Sequence, residues 1–402
     1  MSSLKCGASE SSSGLYSGAV RVERATNRGI RLRNRSALLT RLFLDGPLTR
    51  QELARRTGLS QPAVSNVVGD LIDAGLISEA GASESGGGRP GTLLRVAPDY
   101  GSVVGVDVGE TRVRVELFSL GREPLARVDR PIGRSAPPAA VVAAIAAGLL
   151  AVAATGPAVL GVGVGVAGIV QQGAIVDAQT LGWEAVPLRR MLEEVTALPL
   201  HIDNGAKTLG QAEMWFGAGR GSRHAVFALI GSGVGAAVVT DGVTYRGTSS
   251  SAGEWGHTTL VYGGRECRCG ARGCLEAYVG AGAILDRSGL DWDPADEESA
   301  LARVAGLPSA RTVLGETADY LGAGVANLIN LFNPELVVLG GWAAVILGES
   351  LLPRVRASAA RHALRQPFGQ ARIELGELGE DAVALGAATL PLAQFLLAGG
   401  VR

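Results

Sequence analysis

From Asn34 to Leu76 the apolar residues recur at helical spacing in three short blocks, Ala37 to Leu44, Glu52 to Arg56 and Ala63 to Leu76. Gly46-Pro47 and Gly58 separate the blocks. Thr49 and Glu52 have the spacing of a capping box for the second helix, and Ser60 followed by Pro62 marks the start of the third. Beyond Leu76 come an extended stretch, a glycine-rich tip and a second strand, Leu93 to Val96. From Tyr100 the pattern changes again. Strand-like runs such as "GSVVGVDVGETRVRVELF" and "VLGVGVGVAGIV" bracket a helical "AVVAAIAAGLLAVA", the alternation of an α/β domain. Residues 1–32 show no apolar periodicity and read as a disordered basic arm. The expected organisation is this arm, a small domain over 33–98 and a larger α/β domain over 99–402.

Three helices with a tight turn between the second and third, then two strands, describe a winged helix-turn-helix. Such a domain puts the N-terminal end of its third helix in the DNA major groove. Ser60, Gln61, Ser65 and Asn66 would then face the bases, where Gln and Asn can each bond an adenine edge bidentately. Arg89, in a Gly-Arg-Pro tip, suits a narrow minor groove. A helical protein-interaction module is the alternative on this pattern.

Charge bears on the partner, with a merely soluble surface as the other reading of it. Residues 1–98 hold 13 Lys+Arg against 8 Asp+Glu, whereas the remainder holds 24 against 30. A basic front end on an otherwise acidic chain points to an anionic partner, double-stranded DNA first. The whole chain of 402 residues is 47% hydrophobic and 19% charged, a soluble composition long enough for two or three domains. No apolar run reaches the roughly 18 residues of a membrane span without Gly, Pro or charge, and the start lacks a signal-peptide pattern. The expectation is a cytoplasmic protein with reduced thiols and no membrane partner.

Three of the four cysteines, Cys267, Cys269 and Cys274, lie within eight positions, and Cys6 is far away. Three thiols cannot pair among themselves. Their C-x-C-x4-C spacing, with Gly270 and Gly273 letting the backbone curl and His257 upstream, suits one tetrahedral zinc. Four protein ligands leave no open position, so the ion is expected to be structural, one per chain. Packed reduced thiols are the other reading. Two glycine turns after apolar strands, at Asp107, Gly109 and Thr111 and at Gly231, Gly233 and Gly235, are each weak phosphate-loop signals but gain weight in tandem.

These features, in this order, resemble the ROK family (repressors, open reading frames, kinases), in particular its NagC/XylR-like transcriptional regulators. The resemblance runs from about Asn34 to Leu397 and rests on "GGGRP", "VGVDVGETRVRVELF", "LGVGVGVAGIV", "LGWEAVPL", "GSGVGAAVVTDG", "GEWGH", "CRCGARGCLE" and "LFNPELVVLGG". It implies an α/β fold in which the winged helix-turn-helix precedes a two-lobed actin-like ATPase (ribonuclease H-like) domain with a sugar in its cleft. It makes His257, Cys267, Cys269 and Cys274 the zinc ligands and assigns sugar contacts to Asn204, Glu254, His257 and Glu276. Surface carboxylates are the other reading of Glu254 and Glu276. Trp183 is either a stacking platform for the sugar or a core residue. The function expected is a sugar-responsive regulator, a repressor, acting as a homodimer or homotetramer on a palindromic operator.

Two positions depart from the family's kinases. Where those carry Asn-Asp at the head of a helix, the Asp being the general base, this chain has Asn204-Gly205, and Asp203 lies two residues too early. Where they carry Gly-Gly-Thr in the first phosphate turn, this chain has Gly109-Glu110-Thr111, setting a negative charge near the phosphates. Loss of kinase activity, and no use of ATP, is the expectation. A bifunctional sugar kinase with a DNA-binding domain is the alternative, and a protein-interaction module built on the old cleft is a third.

Overall fold

The structure is a computed structural model that describes residues 27–83 and 90–401. The first domain comprises α1 (Asn27–Asp45), β1 (Leu48–Thr49), α2 (Arg50–Thr57), α3 (Gln61–Asp73), β2 (Ile77–Ala82) and β3 (Thr92–Val96), the strands forming a sheet in the order β1-β3-β2. The Thr49–Glu52 capping box is present in both directions, and Ser60 accepts from the Ala63 amide. α3 ends before Leu76 because Gly75 (φ 71°) adopts the left-handed conformation. The Leu76 and Gly75 amides then bond back to the Leu71 and Ile72 carbonyls, and Leu76 turns into the core.

α1 begins at Asn27, inside the stretch expected to be a disordered arm over 1–32. Sequence periodicity misses this turn because remote residues hold it. Arg31 binds Asp70 on α3 at 2.9 and 2.5 Å, and Arg35 Nε donates to the Gly399 carbonyl at 2.9 Å. Residues 1–26 of the arm, and the wing tip with Arg89, lie outside the described residues.

Two lobes of one topology follow. The first contains β4 (Ser102–Val108), β5 (Arg112–Ser119), β6 (Pro124–Pro131), α4 (Pro138–Ala153), β7 (Val159–Val166), β8 (Ile169–Gln171), β9 (Ile175–Ala178), β10 (Trp183–Val186), α5 (Leu188–Glu193), β11 (Leu200–Asn204) and α6 (Gly205–Phe216). The second contains β12 (Ala225–Ile230), β13 (Val234–Thr240), β14 (Val243–Thr244), α7 (Glu276–Val279), α8 (Ala281–Ser288), α9 (Glu297–Gly306), α10 (Arg311–Phe332), β15 (Leu336–Gly340), α11 (Trp342–His362), α12 (Arg365–Gln370), β16 (Arg372–Leu375) and α13 (Ala382–Leu397). The main sheets run β11-β7-β4-β5-β6 and β16-β15-β12-β13-β14. Each is an antiparallel meander extended by two parallel strands, so the first turns of the two meanders, β4–β5 and β12–β13, are equivalent. This is the two-lobed arrangement expected of the larger domain.

α13 returns to the first lobe and lies on β4, β7 and α6. A Cβ on Gly105 or Gly163 would sit 1.9 Å from Ala384 O or 1.7 Å from Ala387 O, so helix and sheet meet backbone to backbone. By length and composition α13 with the turn before it is apolar enough to cross a membrane, but most of it is buried against these elements. Its Leu392, Phe395 and Leu396 share one apolar cluster with Leu38, Leu42, Phe43, Val68 and Leu71 of the first domain.

Arg114 on β5 anchors the start of α13. Its side chain is 2% exposed and donates to Asp129 (3.0 Å), Asp381 (2.9 Å) and the Glu380 carbonyl (3.1 Å). Beside it Glu116 is buried, with Oε1 unbonded among the described residues and 3.7 Å from Arg114 Nε. Burial, then the Asp381 carboxylate, pushes the Glu116 carboxyl up to about 7 from 4.5. Because the folded pKa is the higher, the native state binds the extra proton, and this group's stabilisation is lost as pH rises from about 4.5 to about 7. Urea unfolding should therefore show Glu116→Gln with a flatter decline in stability over that window. Arg114→Ala, which strands a buried carboxylate, should lose about 3–5 kcal/mol.

Candidate sugar cleft, metal cluster and DNA-reading helix

The β4–β5 and β12–β13 turns face each other across a cavity of about 470 Å³ lined by both lobes. Asn204, Glu254, His257 and Glu276 all reach it. Asn204 is also the N-cap of α6: its Oδ1 accepts from the Ala206 (2.9 Å) and Lys207 (3.2 Å) amides, and its Nδ2 donates to Gly168 O at 2.7 Å. One amide hydrogen remains for a ligand. Glu254 makes no side-chain hydrogen bond among the described residues, and burial raises its pKa against the pull of His257 and Lys207. Glu276 is 5% exposed; its Oε2 accepts from the Val234 amide at 2.8 Å and its Oε1 from Arg268 Nε at 2.9 Å. Neither glutamate is a free surface carboxylate.

The imidazole and thiol cluster borders this cavity. One ligand atom from each of His257, Cys267, Cys269 and Cys274 lies within 4.8 Å of all the others. His257 Nδ1 is 3.7 Å from Cys267 Sγ, and Cys269 Sγ is 3.7 Å from Cys274 Sγ. Burial and the neighbouring thiols push the Cys274 thiol up to about 12, and burial also raises Cys267. Gly273 (φ 83°) makes the loop possible, since a Cβ there would meet Val261 O at 1.7 Å. Three sulfurs and one imidazole at this spacing fit a tetrahedral zinc.

Gly205 leaves a gap in this wall. The nearest atoms to a Cβ there are 3.8 Å away, so an aspartate side chain meets no clash at its base. Asp203 does not replace it: the carboxylate is held by Arg246 at 2.5 and 3.1 Å and lines a different cavity, beside His201 and Trp215. Trp183 is 5% exposed and donates to Ala136 O at 2.9 Å, which makes it a core residue and not a platform for the sugar. Glu110 is not the bare charge the sequence suggests. Arg268 Nη1 donates to it at 2.8 Å from the opposite lobe.

Sequence reasoning missed three residues here. Arg268 was visible inside the cysteine motif, but nothing local shows which way it points. Lys207 is 3% exposed and donates to Ser250 O at 2.7 Å, with its pKa lowered by burial. Thr180 Oγ1 is buried in the cleft wall without a partner among the described residues.

On α3, Gln61, Ser65 and Asn66 are exposed together while Val64, Val67, Val68 and Leu71 are buried. Ser60, exposed, spends its hydroxyl on the helix cap at 3.4 Å. The polar face therefore stands free at the N-terminal half of the helix, where a recognition helix meets bases.

Residues 103–394 match the ROK family, and residues 38–87 match the MarR family. The chain belongs to the ROK family. It is 31% identical over 381 residues to a xylose repressor of Caldicellulosiruptor bescii, covering 89% of this chain and 95% of that one. Among solved structures, a ROK family transcriptional regulator described as a homolog of the E. coli MLC protein superposes with a TM-score of 0.74 at 25% identity, covering 92% of this chain and 98% of the other. A ROK family glucokinase from Streptomyces griseus, solved with glucose and AMPPNP, superposes at 0.65 and 29% identity over 72% of this chain and 99% of its own.

Cys269→Ser removes one of the four ligand atoms that could hold the ion. Metal analysis of purified protein is expected to fall from about one zinc per chain to near zero, because three-ligand structural sites bind far more weakly.

Proposed function

We infer that this ROK protein is a sugar-responsive, DNA-binding transcriptional repressor of carbohydrate genes. It binds a monosaccharide in the interlobe cleft, carries one structural zinc and transfers no phosphoryl group. The observation that carries this reading is the continuity between cleft and reading head. α6 starts at the cleft with Asn204 as its cap and ends with Trp215 and Phe216, whose rings pack edge-on to Phe43 of α1 at 6.2 and 5.9 Å. A ligand that shifts the head of α6 thus acts on the base of the helix-turn-helix through packed side chains. The C. bescii relative, named for xylose repression, spans the same two parts.

In the cleft, Glu254 and Glu276 accept hydrogen bonds from vicinal hydroxyls and Asn204 donates one. His257 would hold the zinc through Nδ1 and present Nε2–H to the sugar, so that its place in the ligand set would fix the orientation of the ring that meets the ligand. Gln61, Ser65 and Asn66 read bases, and Arg89 reaches the minor groove. One helix reads too few base pairs for selectivity, so the protein works in the cytoplasm as a homodimer or homotetramer. Its palindrome has half-sites about 34–36 Å apart or multiples of that.

Electrophoretic shift of a selected operator, with and without sugar, tests the reading. Gln61→Ala should relax base preference, costing about 1–3 kcal/mol of discrimination at one position. Trp215→Ala should keep sugar binding yet lose most of the sugar's effect on the operator shift; a full response in that variant would sink the proposed route. The rival reading, a bifunctional sugar kinase, is favoured only by the likeness to glucokinases. With no base at Gly205, ATP-dependent sugar phosphate should stay at background, and turnover in the kinase range of about 1–100 per second would overturn the repressor-only reading.

A further inference from the structure

At the glycine-turn end of the cleft the protein's own charges pair across the two lobes. Arg268 projects from the cysteine loop of the second lobe, and besides Glu110 (2.8 Å) and Glu276 (2.9 Å) it donates to the Ser232 carbonyl. Its side chain is 31% exposed, and the two carboxylates it joins are 5% and 6% exposed. The guanidinium therefore lies over the Gly231–Gly235 turn, where a Cβ on Gly233 would stand 3.9 Å from Nη2. A glycine turn holds phosphate by pointing free amides at it. Here the Gly231 amide is bonded to Gly233 O and the Val234 amide to Glu276, and the Ser232 carbonyl faces the cation.

The other cations at this mouth are matched as well. Arg112 pairs with Glu298 at 2.5 Å and Arg134 with Glu297 at 3.2 Å, each bridging the first lobe to α9 of the second. Among the described residues, Asp107 and Glu254 line the cavity with carboxylates that make no side-chain hydrogen bond or ion pair. Burial pushes the Asp107 carboxyl up to about 6, the response of a carboxylate in surroundings that disfavour negative charge.

We propose that the cleft takes an uncharged monosaccharide and rejects sugar phosphates and nucleoside triphosphates, with the Arg268–Glu110 pair setting that choice. This rests on the cleft being the effector site. A hydroxyl-bearing ligand donates to Glu254 and Glu276 and leaves the pair intact. A phosphate dianion would have to draw Arg268 away, stranding Glu110 in a buried site, and then lie beside Glu276, Glu254 and Asp107. Both steps oppose binding.

The test is calorimetric titration of the full zinc-loaded chain with D-xylose, D-glucose, N-acetylglucosamine, D-xylose 5-phosphate, glucose 6-phosphate, N-acetylglucosamine 6-phosphate and ATP. At least one neutral sugar is expected to bind, with its phosphate ester and ATP weaker by about 100-fold or more, the scale of two to three kcal/mol of charge repulsion. Glu110→Gln, of the same shape, should narrow the gap between sugar and sugar phosphate by about tenfold, since it frees Arg268 to meet an anion. Glu110→Asp should keep the gap, which separates loss of charge from general damage. A phosphate ester binding as tightly as its parent sugar in the wild type overturns this inference while leaving an effector site in place. An unchanged gap in Glu110→Gln overturns the role given to the pair. If no probe of either class binds, the effector reading falls and this inference with it.

Discussion

The contact between α13 and the first sheet is the constraint on which the rest depends. With no side chain between Gly105 or Gly163 and the helix backbone, α13 has one seat on the sheet, and its far end is thereby fixed in space. That end carries Leu392, Phe395 and Leu396 into the core of the first domain, and Gly399 O receives Arg35. The DNA-reading domain is consequently not a bead on a linker. It is built onto the last helix of the chain, and α6 lies alongside that helix from the cleft to Phe43.

Arginine–carboxylate pairs do the remaining long-range work. Arg114 pins the start of α13 to β5, and Arg268, Arg112 and Arg134 join the lobes across the cleft. Several of these pairs are largely buried, so each stabilises less through its own attraction than it would cost to break. Such pairs hold geometry. Here the two lobes are joined by side chains of the chain itself.

Much of the site was legible because it is local. The capping box at Thr49 and the exposed triad on α3 depend on spacings of a few residues, which backbone geometry converts directly into shared faces, and the imidazole and three thiols that meet at one point come from a single stretch of 18 residues, His257 to Cys274. The two-lobed α/β order followed from alternating strand and helix patterns, and Glu254 and Glu276 reached the cleft as the family resemblance implied. Trp183 was undecidable from sequence because an indole suits either a core or a sugar face. The Ala136 carbonyl, 47 residues away, decided for the core.

By itself, then, the sequence determined where the second and third helices of the first domain are capped, the α/β order of the larger domain, which four donors are spaced to hold a metal, and that position 205 carries no carboxylate. Each is a property of residue type or of short-range geometry. Tertiary structure decided that Asn27–Leu32 is helical, that α13 belongs to two domains, that Asp203 turns to Arg246, and that Glu110 is neutralised by an arginine 158 positions away. The physical reason is common to all four: the partner that fixes each of them arrives only when distant strands and helices pack, and no local pattern encodes its arrival.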